Sequence, residues 1–456
     1  MLVAGATTRR RALARVDVAI INMRTLTALV LAFAACGRPT SAEQPDAGSN
    51  PDASQPDAAS GCPTGLAGAP CVLGLYDQAV AGCDVTAVAD LRHELDLRAN
   101  LGPLWAGGRA LFRTDGVTHV AGEFNGWSTS ALASNAVCGG DLFVAVGAVA
   151  TGWWPYKLFD GQTWSLDPHD PAFAYDDFTG NPDGKNSVIN TPDSGRGHIV
   201  RLDQACSTAL GNCRDVTAYY PPGYTAPANG AKTYPVLFMH DGQNLWDDHD
   251  CCFGHTGWEV NVALDTEIGA GRVAPVIVIG AASTAARNDE YGLTPATLAT
   301  FMQFQVTELQ PHALAQVRWD HAKVGIAGSS LGGLTAMHLA LTYPQTYGAA
   351  ASLSGAFWPG QDNGTALRDR LPGYGKQALS IYLDHGGNVA QNSDGAADSV
   401  EVRDLMLGLG WQRSDSPACT PGPSALCYYF EPGATHDELA WKARTWRFLR
   451  FLYPAP

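Results

Sequence analysis

The sequence predicts an α/β protein: a doubly wound, mostly parallel sheet with helices on both faces, preceded by a small all-β immunoglobulin-like sandwich. Three observations predict it. From about residue 201 to residue 456, short apolar runs such as "YPVLFMHDGQN" and "APVIVIGAAS" alternate with helix-patterned stretches such as "TPATLATFMQFQVTELQPHAL", the signature of parallel strands crossed by helices. Between about Thr118 and Asn190, "THVAGEFNGWS", "DLFVAVGAV", "WWPYKLFDGQTW" and "KNSVIN" are short aromatic or alternating runs broken by Gly, Asn and Asp, which reads as a sandwich. Third, "KVGIAGSSLGGLTAMHLA" is a strand, a glycine-rich turn and a helix in immediate succession.

At the N-terminus, Arg9, Arg10, Arg11, Arg15 and Arg24 precede the apolar run Leu26 to Ala35. That run is too short to span a membrane as a mature helix and has the shape of an export signal; Met23 is an alternative start. Ala34-Ala35-Cys36 resembles a bacterial lipobox, in which Cys36 becomes lipidated, although Phe33 departs from the usual aliphatic residue; an ordinary cleaved signal is the alternative. Residues 1–36 are therefore read as a signal peptide, and the expected location is the bacterial cell envelope, with membrane contact only through a lipid anchor. Residues 37–60 repeat Pro-Asp-Ala three times and contain no aromatic residue. They cannot bury enough apolar surface to order themselves and read as a tether.

The chain has 456 residues, 46% hydrophobic and 16% charged, with a formal net charge of -15. With no basic block beyond the first residues, nucleic acid is excluded as a partner. Setting Cys36 aside, ten cysteines remain, an even number, which in an exported protein points to disulfides. Cys206 and Cys213, and Cys419 and Cys427, are close enough to close small loops. In "DDHDCCFGHTGWE", Cys251 and Cys252 form a vicinal bridge or pair elsewhere; His249 and His255 complete a set of metal-ligand types, but the spacing fits no zinc pattern, and no metal is expected.

Residues 61–110 carry apolar residues at helical spacing in "VTAVADLRHELDLRANL" and are read as a partly helical segment. Residues 111–200 form the sandwich, where "VAGEFNGWS", "YKLFDGQTW" and "NSVI" resemble the glycogen-binding, early-set modules of starch-branching enzymes and of the AMP-activated protein kinase β subunit. The resemblance implies that Trp127, Lys157, Trp164 and Asn186 contact a glycan, with sugar rings stacking on the tryptophans and Lys and Asn satisfying hydroxyls. The alternative is that the tryptophans serve packing.

In the remaining segment, 201–456, Gly328-Ser329-Ser330-Leu331-Gly332 fits G-x-S-x-G, which presents a serine on a sharp strand-to-helix turn. Ser330 is the candidate nucleophile and Ser329, one position off, faces away. Chain order Ser, acid, His makes His436, in "EPGATHDELAW", the candidate base; His338 lies inside the helix after Ser330 and packs there. The acid is expected on the loop after "LSIYLD", among Asp384, Asp394 and Asp398, with Asp394 in Ser-Asp-Gly preferred. An oxyanion hole needs two backbone N–H groups: Leu331 supplies one, and Gln243, after Gly242, the other, with His240 and Asp241 shaping that loop. Trp246, Trp258 and Trp358 wall an acyl pocket or pack in the core.

Together, "YPVLFMHDGQNLWDD", "GIAGSSLGGL", "LDHGG" and "GATHDELAW" resemble the putative-esterase family of α/β hydrolases, which includes enterochelin esterases, S-formylglutathione hydrolases, feruloyl and acetyl-xylan esterases, and mycolyltransferases. The resemblance implies an α/β-hydrolase fold, an acyl-enzyme mechanism without cofactor, and a small-molecule or polysaccharide ester as substrate. Arg287 resembles a recurring Arg at the family's active-site entrance; a salt bridge with Asp289 or Glu290 is its alternative. Two rival functions stand beside hydrolysis: acyl transfer of the mycolyltransferase type, and glycan binding by a surface protein whose hydrolase domain is inert. S-formylglutathione is excluded as a cytosolic substrate. The short connection between sandwich and hydrolase segment favours a tight join over a flexible one.

Overall fold

A computed structural model describes residues 68–176, 184–247, 251–252, 254–358 and 366–456. The signal, the tether, Cys36 and His249 lie outside these residues. The first helices are α1 (Gly68–Gly82) and α2 (Val85–Leu97), the second started by Asp84, whose carboxylate accepts the Ala87 N–H at 2.9 Å. A first sheet follows, ordered β1 (Leu104–Ala106), β2 (Arg109–Thr114), β5 (Phe143–Ala148), β4 (Asn135–Ala136). Side chains alternate across a strand, and here both faces are used. Leu111 and Val144 join Val72, Leu75, Leu91 and Leu95 of the helices, while Phe112 and Ala145 join Val120, Tyr156 and Ile189 of the second sheet. Cys83 is bonded to Cys138, fastening the helices to this sheet. The expected boundary at 110/111 therefore falls inside β2: the helical segment covers one face of the sandwich.

The second sheet contains β3 (His119–Gly122), β6 (Trp153–Phe159), β7 (Trp164–Ser165), β8 (Ala172–Tyr175) and β9 (Lys185–Asn190). It does not end at the sandwich. Strand β8 pairs with β10 (His198–Ser207), Phe173 opposite Ile199 and Ala172 opposite Val200. Strand β10 pairs in turn with β11 (Asn212–Tyr220), so the sheet continues into the C-terminal half. The order from there is β13 (Ile277–Ala281), β12 (Val236–Met239), β14 (Val324–Ser329), β15 (Tyr347–Leu353), β16 (Ser380–His385), β18 (Ala425–Phe430), β17 (Gln412–Asp415). Pairing is parallel from β13 to β17. The expected boundary at 200/201 thus lies within β10, because that strand is hydrogen-bonded to the sandwich along one edge and to the parallel sheet along the other.

Continuous apolar strands such as "VLFM" reflect burial on both faces. Phe238 and Ile279 enter one core with α4 (Pro295–Phe304), α6 (Ser330–Thr342), α7 (Leu367–Tyr374) and α8 (Ala396–Gly408). Leu237 and Val278 enter the other with α3 (Val260–Gly269) and α9 (Glu438–Leu452); α5 (Gln310–Leu314) follows α4. This is the doubly wound α/β-hydrolase architecture. Sandwich residues belong to both cores: Ala172, Ala174 and Val188 to the first, Phe173 to the second. Disulfides join Cys206 to Cys213 across the β10–β11 hairpin, Cys419 to Cys427, and Cys251 to Cys252. His338 is buried in α6 against the Tyr374 hydroxyl at 3.2 Å.

Candidate active site

Strand β14 is buried throughout and ends at Ser329, itself buried. Ser330 then takes a φ of +52°, in the left-handed region that L-residues seldom occupy, and opens α6. The turn closes tightly enough that a Cβ on Gly328 would lie 2.6 Å from the Gly332 carbonyl carbon, so the two motif glycines touch each other. A Cβ on Gly332 would in turn stand 3.1 Å from the His240 Cβ. The glycines are there because the backbone before the serine, the helix after it and the end of β12 occupy one another's side-chain space.

The Ser330 hydroxyl lies 2.8 Å from His436 Nε2. His436, on the loop between β18 and α9, places Nδ1 2.6 Å from Asp394 Oδ1. Asp394 stands at φ +58° on the loop after β16, its side chain 2% exposed against 31% for His436. Its second oxygen accepts the Ser354 hydroxyl at 2.7 Å and the Gly386 N–H. The other two acid candidates are engaged elsewhere. Asp384 is fully buried, ion-paired with Arg444 at 3.2 Å and bonded to the Tyr382 hydroxyl; burial lifts its pKa to about 6 against the pull of Arg444. Asp398 pairs with Arg368 at 2.7 Å and accepts from Asn392. The remaining histidine after the serine, His385, is buried on Tyr428, 2.6 Å from its hydroxyl.

The turn after β12 faces this array. Asp241 has φ +57°, and Gly242–Asn244 form a short 3₁₀ turn. Arg287 holds Asp241 through two parallel bonds, 2.6 and 2.7 Å, a fork geometry only Arg supplies. This corrects the expected partners: neither Asp289 nor Glu290 takes Arg287, and Glu290 is buried against Arg214. The Gln243 side chain is exchanged with Ser283, donating at 2.8 Å and accepting at 3.0 Å, which fixes the turn carrying its N–H. Leu331, the residue after Ser330, is buried at the start of α6. His240 is buried among Tyr291 and Phe301 rings, and burial lowers its pKa to about 4.

Trp246, expected at the substrate, and Trp258 both take the core alternative. Trp246 is fully buried, its Nε1 donating to Thr217 at 2.8 Å, and belongs to the core rather than to a substrate pocket. Trp258 is buried against Trp441, with ring centres 5.6 Å apart. An indole with its one N–H satisfied inside adds more by burial than by lining a wet cleft. Trp358 differs: it is exposed, 6.1 Å from the His436 ring, and packs over Gly395.

Residues 207–407 match the family model described as Putative esterase. This part of the chain belongs to the putative-esterase family. The match takes in Ser330 and Asp394 and stops before His436. Two relatives are the endo-1,4-beta-xylanase/feruloyl esterase of Xylanibacter ruminicola, 26% identical over 43% of this chain and 25% of that protein, and the iron(III) enterobactin esterase of Dickeya dadantii, 31% identical over 38% of this chain and 36% of that protein. The chain thus spans about a quarter and a third of these relatives' lengths. A solved enterobactin esterase from Shigella flexneri is 16% identical, with a TM-score of 0.40, over 76% of this chain and 95% of that one. The esterase domain is a carboxylic-ester hydrolase.

In the sandwich that precedes the esterase domain, the four candidate glycan residues divide. Trp127 and Trp164 are exposed, their rings 6.3 Å apart and edge to face. Lys157 and Asn186 are buried, Asn186 donating to Asp176 at 2.9 Å. This corrects the expectation that both polar groups meet sugar hydroxyls: on β6 and β9 the two side chains are covered, leaving only the tryptophans exposed. Among the described residues no cluster of three or more His, Cys, Asp or Glu side chains is placed to hold a metal ion.

Sequence reasoning missed three residues that organise the esterase site. Glu438, buried at the start of α9, accepts Asn244 Nδ2 at 3.3 Å and Gly254 N–H at 2.8 Å, tying the turn after β12 to the His436 loop. Its signal was an acidic residue in the first turn of the last helix, a common dipole-favoured position, so it did not stand out. Ser354 and Arg444 carry no local signal; their partners are 40 and 90 residues away in the chain.

Proposed function

We propose that the protein is an exported, lipid-anchored serine carboxylic-ester hydrolase acting through Ser330, His436 and Asp394. The observation that carries this reading is the continuous hydrogen-bond line from Ser330 Oγ through His436 to Asp394. Ser330 Oγ gives its proton to His436 Nε2 as it bonds to the ester carbonyl carbon. The carbonyl oxygen becomes an oxyanion stabilised by the Leu331 and Gln243 N–H groups at the mouth of α6. His436 returns the proton to the departing alkoxy oxygen as the C–O bond breaks. Water then repeats the sequence on the acyl-enzyme, releasing the acid.

For the substrate we propose an ester of the siderophore, feruloyl or acetyl-polysaccharide kind. Its support is the names of the two relatives and the exposed Trp358 ring beside His436, a flat apolar surface suited to a planar group. The exposed Trp127–Trp164 pair gives the polysaccharide option a second surface. Export and anchoring through Cys36 rest on the N-terminal sequence alone. The test is purified protein assayed on p-nitrophenyl acetate, methyl ferulate, acetylated xylan and a catecholate tri-lactone. Ser330→Ala should lower turnover on whichever ester is cleaved by about three orders of magnitude or more, while Ser329→Ala retains it. Undiminished activity in Ser330→Ala would refute the mechanism.

A further inference from the structure

We infer that Trp441 and Arg444, acting through Ser354, are positioning residues that set the direction of every proton in the Asp394–His436–Ser330 line. The inference rests on the serine-esterase reading above and goes beyond it by naming what holds the array in its reactive protonation order.

The donors gathered around Ser354 fix this order. A serine hydroxyl has one proton and two lone pairs. At Ser354 both lone pairs are taken: Trp441 Nε1–H donates at 3.1 Å and Arg444 Nη2–H at 2.9 Å. Neither group can accept, since an indole N–H and a guanidinium are donors only. The single Ser354 proton is therefore directed at its third neighbour, Asp394 Oδ2, 2.7 Å away. That oxygen also receives the Gly386 N–H. Two donors on Oδ2 leave Oδ1 as the oxygen that faces His436 Nδ1, 2.6 Å away, and accepts its N–H. Nδ1–H leaves Nε2 as the acceptor facing the Ser330 hydroxyl, the tautomer a general base needs.

The arrangement is rigid at each point. Ser354 is fully buried with φ +46°, and its N–H donates to the Asp384 carbonyl at 2.9 Å. Arg444 is fully buried and stays charged. Its Nε faces Asp384 Oδ2 at 3.2 Å as an ion pair without hydrogen-bond geometry, so the directed bond of this guanidinium to Ser354 is distinct from its charge pairing. Trp441 also packs edge-on against the His436 ring, centres 5.2 Å apart, so one helix orients both the imidazole and the hydroxyl behind its acid.

A double-mutant cycle tests this. Ser354→Ala, Asp394→Ala and the double variant are compared in kcat and KM on the best p-nitrophenyl ester, with Tm measured for each. Ser354→Ala is expected to lower kcat by about 10- to 100-fold with KM within about two-fold, and to cost less than about two-fold once Asp394 is absent. An equal loss in both backgrounds would show a merely structural role and overturn the inference, as would no loss in either. Trp441→Phe, which keeps the ring and removes one donor, is expected to lower kcat several-fold and serves if Ser354→Ala does not fold; unchanged kcat in it would then overturn the inference. Ser354→Thr, which keeps the hydroxyl, should recover most of the activity. Fluorophosphonate labelling separates the levels of failure: no labelling of Ser330 in the unaltered protein overturns the serine-esterase reading, whereas labelling of Ser354→Ala at the unaltered rate overturns this inference alone.

Discussion

Arg287 braces the turn that carries one of the two proposed oxyanion donors. Both of its bonds go to Asp241, at a left-handed φ in the turn that carries the Gln243 N–H. On the proposed mechanism the Gln243 N–H is an oxyanion donor, worth several kcal/mol only while it points at the developing charge, and the Arg287 fork braces the turn that carries it. Arg287→Ala is therefore expected to lower kcat by about 10- to 100-fold on a small ester with KM little changed. Arg287→Lys should not restore it, because an ammonium cannot bond both carboxylate oxygens in one plane. Steady-state kinetics on p-nitrophenyl acetate decide it: a rise in KM at constant kcat would assign Arg287 to substrate contact instead.

Among the elements, β10 has the largest consequence. It pairs with β8 of the sandwich along one edge and with β11 along the other, and the first residues of this strand lie across from Phe173 and Ala172. A fragment beginning at residue 201 would lose the first three residues of β10 and its partner, and open both cores where Ala172, Phe173, Ala174 and Val188 pack. An uncovered edge strand beside exposed apolar surface favours aggregation. The 201–456 fragment is expected to be insoluble or to lack a cooperative unfolding transition by circular dichroism. In the intact chain Phe173→Ala should cost about 3–5 kcal/mol in denaturant unfolding. A soluble, cooperatively folding fragment with full activity would show the join to be dispensable.

Over the whole molecule, burial of ionisable groups sets a pH response. His198, at the start of β10, and His240, at the end of β12, are buried, and desolvation lowers both pKa values to about 4 from the usual 6.5. In this window the unfolded chain binds the protons that the folded chain excludes, so each group withdraws stability as pH falls from about 6.5 to about 4. The limit is about 1.4 kcal/mol per pH unit for each group. The carboxyls of Asp167, Asp170 and Asp384 act in the opposite sense, since burial raises their pKa values. The prediction is therefore a difference. His198→Gln should show a shallower loss of Tm between pH 6.5 and 4 than the unaltered protein, and an identical slope in both would contradict it.

What the sequence by itself determined is whatever depends on neighbours along the chain. The apolar run before Ser330 and the glycines on either side of it mark a strand, a sharp turn and a helix, because hydrophobic period and left-handed φ are local properties. The loop positions of Asp394 and His436 follow from the order of strands and helices in the same way. Tertiary structure decided which of three nearby aspartates turns toward His436, since Asp384, Asp394 and Asp398 differ in the partners that meet them, Arg444, Ser354 and Arg368, all distant in sequence. It decided that Trp246 and Trp258 are core and Trp358 is surface, because tryptophans in loops look alike until packing covers some and leaves others. It also decided that sandwich and hydrolase share one sheet. A strand's pattern shows that it is buried but not which strand lies against each edge, for pairing across a sheet is made between residues whose separation in the chain carries no periodic trace.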